Sequence, residues 1–158
     1  MLAGAGGIGH QRIAVDDDRV GIFEELDVAR RQRAEAEDGR GLGASSSVRE
    51  AHLTRIERFV RDRLADPDLD PERIAAGCRI STRYLHELFR DTGRTVGGFL
   101  RDLRLEACRE ALADPAARRT LAETAYRAGF SDQAQFSRLF KARYGATPKE
   151  YRMKARAG

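Results

Sequence analysis

Two short clusters of side chains in this sequence have the hydrogen-bonding chemistry that DNA bases and phosphates require. The first lies between Ser81 and Arg90, and the second lies between Ser131 and Lys141. With about 100° of rotation per residue, a helix over either cluster has an apolar stripe on one face and polar side chains on the other. The stripes are Leu85, Leu88 and Phe89, and Phe136, Leu139 and Phe140. The outward side chains are Arg83, His86, Glu87 and Arg90, and at the matching positions Ala134, Ser137, Arg138 and Lys141.

These outward residue types match the atoms that DNA exposes in its major groove. Arginine can donate two hydrogen bonds to guanine, glutamate can accept from cytosine, and serine can bond either kind of base. A solvated charged face is the ordinary explanation for a single surface arginine. Because the pattern occurs twice at matching positions, we favour DNA contact for Arg83 and Arg138. Glu87 can instead orient a neighbouring arginine, and His86 can simply be exposed.

The pattern is a repeat that covers residues 74–100 and 125–151. Its aligned pairs are Ile80-Ser81 with Phe130-Ser131, Leu85 with Phe136, Leu88-Phe89-Arg90 with Leu139-Phe140-Lys141, Gly93 with Gly145, and Phe99 with Tyr151. The offset between the copies drifts from 50 to 52 residues, which small loop adjustments accommodate. Two copies are too few for a solenoid, so the repeat predicts two small units, each with two helices joined by a tight turn.

Capping residues and periodicity predict the helices of the first unit. After a loop-like segment at 41–47, a helical stripe of Leu53, Ile56, Val60 and Leu64 is ended by Asp66-Pro67. Asp70 caps a second helix with Pro71 at its first position. This helix turns Ile74, Ala75 and Cys78 inward, and Ser81 caps a third helix over 82–91. The first helix-turn-helix therefore covers about residues 70–92.

A linker helix over about 95–114 is predicted next, with Val96, Phe99, Leu100, Leu103, Ala107, Ala111 and Leu112 near one stripe. At 1.5 Å per residue its length is roughly 30 Å, close to the roughly 34 Å between major-groove faces one DNA turn apart. The second helix-turn-helix covers about 120–143. It begins at a Thr120–Glu123 capping box, turns at Gly129 and continues from an N-cap at Ser131. Thr147-Pro148-Lys149-Glu150 opens a last helix.

Charge is distributed unevenly along the chain. Residues 1–50 carry 7 Lys/Arg and 10 Asp/Glu, whereas residues 51–158 carry 22 and 15, so the repeat region has a net charge of +7. A basic domain is typical of a nucleic-acid-binding protein. The alternative is a protein-interaction module whose basic faces dock an acidic partner. The basic repeat region therefore predicts double-stranded DNA as the partner.

Other classes of site receive little support from the sequence. Cys78, Cys108 and the three histidines lack metal-ligand spacing, so we expect reduced core cysteines, no metal and no cofactor. The segment Gly4–Gly9 fits GxGxxG, but without the strand and helix that a dinucleotide site requires. No Ser/His/Asp set or carboxylate pair stands at a catalytic spacing, so an enzyme is not expected. The sequence also lacks a signal peptide and a long apolar run, which predicts a cytoplasmic protein without membrane contact.

The second copy closely resembles the signature of AraC/XylS-type transcriptional regulators. The resemblance is strongest in residues 125–141 and continues through Tyr144-Gly145-Ala146-Thr147-Pro148 to Tyr151-Arg152. Ser81 to Phe89 with Gly93 resembles the first helix-turn-helix of that family. The resemblance covers about residues 51–155. It implies an all-α DNA-binding domain of about seven helices, with two homeodomain-like helix-turn-helix units joined by a linker helix.

The resemblance also implies which residues contact DNA. The base-contacting positions of the family fall on Thr82, Arg83, His86 and Glu87 in the first unit, and on Asp132, Gln133, Ala134, Ser137 and Arg138 in the second. Phosphate contacts are expected from Ser81, Arg90, Ser131 and Lys141. RNA polymerase is a further candidate partner, since a polymerase subunit is an example of the acidic partner named above.

Two departures from the family pattern affect these expectations. Arg79 stands where the second copy has Gly129, so the first turn could have a different shape. Residues 1–50, with only a weak helical pattern at 21–37, are predicted to be poorly ordered. They are too few and too polar to form an effector domain, so this segment is either a simple extension or a remnant of a longer regulator. A small-molecule effector is therefore not expected on this chain.

Overall fold

The computed structural model describes residues 43–157 of the chain. Those residues form seven α-helices and no strand, which confirms the predicted all-α fold with two helix-turn-helix units and a linker helix. The helices are α1 Gly43–Asp62, α2 Pro71–Gly77, α3 Thr82–Arg90, α4 Val96–Ala113, α5 Leu121–Arg127, α6 Gln133–Tyr144 and α7 Pro148–Ala157. The predictions for the glycine run at 4–9 and the weak helix at 21–37 lie outside the described residues.

The first unit consists of α1, α2, α3 and the first half of α4. Its core contains the predicted stripes of α1 and α3 together with Ile74, Ala75 and Cys78, and Phe89 packs 5.1 Å from Phe99 between ring centroids. The N-caps are as predicted, because Asp70 accepts a hydrogen bond from the Arg73 amide and Ser81 accepts one from the Tyr84 amide. Two successive caps thus fix where α2 and α3 begin.

The second unit consists of the end of α4 with α5, α6 and α7. Phe136 and Phe140 are fully buried and form an aromatic cluster with Phe130, Tyr144 and Tyr151. Leu139, predicted to be buried, is only partly buried, since it lies at the margin of this core. Both cysteines are free and buried, and burial raises the pKa of each thiol, that of Cys108 to about 12.

The linker helix α4 has two apolar stripes where the sequence predicted one. Val96, Phe99, Leu100 and Leu103 enter the first core, whereas Leu105, Cys108 and Leu112 enter the second. At about 100° per residue, the centres of the two stripes are roughly 160° apart. The single-stripe prediction was wrong because Ala107 and Ala111 are only partly buried, while Leu105 and Cys108 on another face are buried. The two units therefore pack on opposite sides of α4.

Three predicted boundaries also differ from the structure. The predicted loop at 41–47 and the extension to residue 50 overlap α1, which begins at Gly43. This helix ends at Asp62, so Leu64 reaches the core from a turn in which its amide bonds to the Arg61 carbonyl. The N-cap of α6 is Asp132 rather than Ser131, because the Asp132 carboxylate accepts a hydrogen bond from the Ala134 amide at 2.7 Å.

The turns of the two helix-turn-helix units have the same backbone shape. Arg79 has a φ of 52° and Gly129 has a φ of 85°, so both are left-handed. In each turn, the next residue donates its amide to a carbonyl five residues earlier, Ile80 to Ala75 and Phe130 to Ala125. The expectation of a differently shaped first turn was therefore wrong.

Gly129 has a second constraint that Arg79 lacks. A Cβ at Gly129 would lie 2.4 Å from the Leu64 carbonyl oxygen and 2.7 Å from the Arg104 Nε atom. Arg79, by contrast, is exposed to solvent. The second turn thus needs glycine for both its conformation and its close approach to the first unit.

We predict opposite sensitivities at these two turns. Gly129→Ala should lower the free energy of unfolding by at least about 1 kcal/mol from the positive φ alone, with the carbonyl clash adding to it. Arg79→Gly should change it by less than about 1 kcal/mol, because relief of strain offsets the extra chain entropy of glycine. Urea unfolding of both variants measures this difference. Equal stability of Gly129→Ala and the wild type would contradict the role of Gly129.

A second prediction concerns acid stability. In two capping boxes, the carboxylates of Glu123 and Glu150 accept backbone hydrogen bonds from Thr120 and Thr147, which lowers the pKa of each glutamate below its ordinary value of 4.5. As the pH falls, these two glutamates are therefore protonated in the unfolded chain before they are protonated in the folded protein. Stability from the caps is therefore present above about pH 4.5 and is lost as the pH falls through the lowered folded pKa.

Glutamine at both positions keeps a hydrogen-bond acceptor but does not titrate. The melting temperature of the Glu123→Gln/Glu150→Gln variant should therefore fall less than that of the wild type between about pH 6 and about pH 3. Glu110→Gln, at an exposed position of α4 outside any cap, is the matched control. If the melting temperatures of the double variant and the wild type decrease equally over this pH range, the caps do not contribute to acid unfolding.

Candidate nucleic-acid interface

The helix α3 presents most of its predicted contact residues to solvent. Arg83, His86, Glu87 and Arg90 are exposed, as is Ser81 at the N-cap, whereas Thr82 is half-buried. Leu85, Leu88 and Phe89 on the opposite face are buried, which confirms the helical-wheel assignment. Arg90 and Glu87 stand 3.9 Å apart, with 76% of the Arg90 side chain exposed. Such an exposed pair constrains the guanidinium little, so Arg90 remains available to a phosphate.

The helix α6 presents the equivalent face in the second unit. Gln133, Ala134, Arg138 and Lys141 are exposed, together with Ser131 and Asp132 before the helix, and Ser137 is half-buried. The only carboxylate in this set is that of Asp132, which already caps the helix. The two faces therefore differ in where their carboxylate lies, because Glu87 lies within α3 whereas Asp132 precedes α6 and is engaged in its cap.

Hydrogen bonds within the protein define what three of these side chains can offer. Ser81 Oγ accepts from the Tyr84 amide at 3.1 Å, which leaves its proton free to donate to a phosphate oxygen. Ser137 Oγ donates to the Gln133 carbonyl at 2.9 Å, so its remaining capacity is that of an acceptor. One oxygen of Asp132 is engaged in the cap.

The helix α1 holds α2 and α3 in place through polar contacts that the sequence did not reveal. His52 Nδ1 and the Tyr84 hydroxyl are 3.1 Å apart, with the two rings edge to face. Arg55 donates to the Cys78 carbonyl at the end of α2, and Arg49 forms an ion pair with Asp91 just after α3. These partners are 23 or more residues apart, so local sequence patterns carry no signal of them.

Polar residues of α4 contact both units. Arg104 donates to the Leu64 and Asp66 carbonyls at 3.4 and 2.6 Å, and burial lowers the pKa of its guanidinium. Asp102 lies 2.5 Å from Arg94 of the first unit and 3.9 Å from Arg143 of the second. No local sequence pattern relates Arg104 to the Leu64 and Asp66 carbonyls, which lie 40 and 38 residues earlier in the chain.

A partly buried polar network also fastens α4 to the second unit. Glu106 pairs with Arg109 and accepts a hydrogen bond from the Tyr144 hydroxyl at 3.0 Å. Burial and the nearby Glu106 carboxylate raise the pKa of Tyr144, and the hydrogen bond to Glu106 raises that of Arg109. The end of α6 is therefore held directly against α4.

Two negative observations apply to the described part of the chain. Within residues 43–157, no group of three or more His, Cys, Asp or Glu side chains stands in an arrangement that could hold a metal ion. None of the helices in that range has the length and apolar character needed to cross a membrane.

Comparison with known sequences assigns the domain. Residues 74–154 match the family described as helix-turn-helix domain, which is half of the chain and includes both units. The chain belongs to the AraC family of helix-turn-helix proteins. The AraC-type resemblance proposed from the second copy is thus confirmed.

Relatives of this AraC-family chain support the assignment. The transcriptional activator NphR from Rhodococcus sp is 38% identical over 115 residues, which cover 71% of this chain and 34% of NphR. The HTH-type transcriptional activator RhaS from Escherichia coli strain SE11 is 32% identical over 103 residues, 65% of this chain and 36% of RhaS. The chain therefore spans about a third of the length of these relatives.

A solved structure shows the same fold. The chain is similar, at a TM-score of 0.60 and 25% identity, to a probable AraC family transcriptional regulator from Rhodopseudomonas palustris. The similarity covers 67% of this AraC-family chain and 98% of the other.

Proposed function

We propose that this chain is a sequence-specific DNA-binding transcription regulator that inserts α3 and α6 into two successive segments of the major groove. The observation that carries the proposal is the pair of solvent-exposed helix faces that project from equivalent turns. Each face lies opposite a buried stripe, and each bears side chains that can bond base edges or phosphates. The relatives named transcriptional activators support the same function.

The exposed residues divide into two roles in this proposal. Arg83 and Arg138 suit bidentate contacts with guanine, Gln133 suits adenine, and Glu87 can accept from cytosine N4. Ser137, whose proton is engaged with the Gln133 carbonyl, accepts a hydrogen bond from a base amino group. Ser81, Arg90, Ser131 and Lys141 contact phosphates, which fix position without specifying sequence.

The difference between the two faces determines the kind of DNA site. One face combines Arg83, His86 and Glu87, whereas the other combines Gln133, Ser137 and Arg138. Because one chain carries both faces, a single molecule recognises an asymmetric site. As a regulator of this type it acts in the bacterial cytoplasm, with RNA polymerase as the second partner at the promoter.

We predict that Arg138→Ala weakens binding to the preferred DNA site by about 1 to 3 kcal/mol and relaxes specificity at one base pair. The preferred site is selected from random duplex, and dissociation constants are measured by gel shift. Gln135→Ala, exposed on α6 but outside the proposed contact set, is the control. An Arg138→Ala variant with unchanged affinity and base preference would refute the assignment of α6 as a recognition helix.

Lys141→Ala is expected to behave differently because a phosphate contact carries no sequence information. Affinity should fall by a similar factor on preferred and random duplexes, and the slope of log affinity against log salt should decrease by about 1. Lys154→Ala, an exposed lysine near the end of α7, is the control of equal charge. A base-specific loss in Lys141→Ala, or a wild-type protein with no preference for any duplex, would contradict the proposal. If the wild type shows no preference for any duplex but binds acidic proteins, the chain is a protein-interaction module instead.

A further inference from the structure

The relative placement of the two units depends on contacts that surround the middle of α4. The apolar stripes alone hold each unit to the helix through burial, which has no strong directional preference. Hydrogen bonds do have such a preference, since they weaken steeply when the donor angle or distance changes. Polar contacts near the middle of α4 therefore add a directional constraint on the angle between the units to the one that core packing supplies.

Arg104 stands where three elements of the structure meet. Its guanidinium donates to the Leu64 and Asp66 carbonyls in the loop that joins α1 to α2 of the first unit. The Leu64 carbonyl also faces Gly129 in the turn of the second unit, where a Cβ would approach it to 2.4 Å. The same Cβ would lie 2.7 Å from Arg104 Nε. Arg104 thus binds the loop of the first unit at the point where that loop closely approaches the Gly129 turn of the second unit.

Asp102 forms a second connection on the other flank of α4. Its carboxylate lies 2.5 Å from Arg94, which follows α3, and 3.9 Å from Arg143 on α6. At about 100° per residue, Asp102 and Arg104 project roughly 160° apart around the helix. The connections therefore flank α4 on both sides and oppose rotation of one unit relative to the other.

We propose that Arg104 and Asp102 are positioning residues that set the spacing and phase of the two DNA segments that one molecule recognises. This inference rests on the proposed DNA-binding function and adds a determinant of specificity that contacts no base. One inserted base pair between the segments moves the second segment by about 3.4 Å and about 35° around the duplex axis. Two units held at a fixed angle cannot follow that movement. Affinity therefore depends on the number of base pairs between the two DNA segments as well as on their sequences.

The test measures affinity for DNA duplexes that differ only in spacing. The preferred site selected from random DNA is compared with versions that carry one inserted or one deleted base pair between its two segments. For the wild type, a changed spacing should weaken binding about tenfold or more, comparable to the loss of a base contact. The measured quantity is the spacing ratio, which is the dissociation constant for the altered spacing divided by that for the original spacing.

Arg104→Met keeps the aliphatic stem but removes both donors to the loop. The spacing ratio of this variant should fall toward one, within about threefold, because a freed unit can follow the displaced segment. Arg104→Lys, which retains a cation able to reach one carbonyl, should partly restore the ratio. Arg101→Met is the matched control, since it removes the same charge from an exposed position on the same helix, and its ratio should equal that of the wild type.

Folding is checked by circular dichroism, because a merely destabilised protein loses affinity for every duplex without a change in the ratio. If Arg104→Met does not fold, Asp102→Asn tests the inference in its place. This variant keeps the side-chain shape but weakens both ion pairs of Asp102, so its spacing ratio should also fall. A folded Arg104→Met or Asp102→Asn variant with the wild-type ratio overturns the inference. Wild-type protein that binds its preferred site with equal affinity at every spacing also overturns it, while the proposed function stands. Absence of any preferred site overturns the proposed function itself.

Discussion

The burial of two separate cores against opposite sides of one helix is the constraint on which the described structure depends. Residues of α4 from Val96 to Leu103 complete the first core, and residues from Leu105 to Leu112 complete the second. Each core thus combines residues of α4 with residues of the helices of its own unit. The helix α4 therefore connects the two units and also contributes residues to both of their cores.

This arrangement explains why the polar contacts of α4 concentrate near its middle. Asp102 and Arg104 bracket Leu103, the last residue of the first apolar stripe, and precede Leu105, the first of the second. At that point the helix has protein on two sides, so its remaining flanks face the edges of both units. Side chains there can reach partners in either unit, which is what Asp102 and Arg104 do.

Much of the local structure was predictable from the sequence. The N-caps at Asp70, Ser81 and Thr120 were placed correctly because a cap depends on residues only two or three positions away. The buried faces of α3 and α6 followed from helical periodicity, apart from the partial exposure of Leu139. The cap of α6 was misplaced by one residue, because serine and aspartate are both good caps and stand side by side at 131 and 132.

The candidate contact surface was accessible to sequence reasoning for the same reason. Once Leu85 and Phe136 are assigned to the core, the outward positions of Arg83 and Arg138 follow from about 100° per residue. Sequence pattern could not show that Ser137 is engaged with its own helix backbone, nor that Thr82 is half-buried. Those features depend on rotamers and on neighbouring packing.

The sequence by itself determined the helices, their caps, the duplicated units and the chemistry of the two exposed faces, since all of these depend on residues within one or two helical turns. Only the tertiary structure decided that α4 has two opposed stripes, that Arg79 shares the left-handed conformation of Gly129, and that Arg104 binds the α1–α2 loop beside Gly129. Arg104 is 38 residues from Asp66, and no local periodicity relates a guanidinium to a carbonyl at that separation. Such contacts arise only when the packing of both cores brings their partners together.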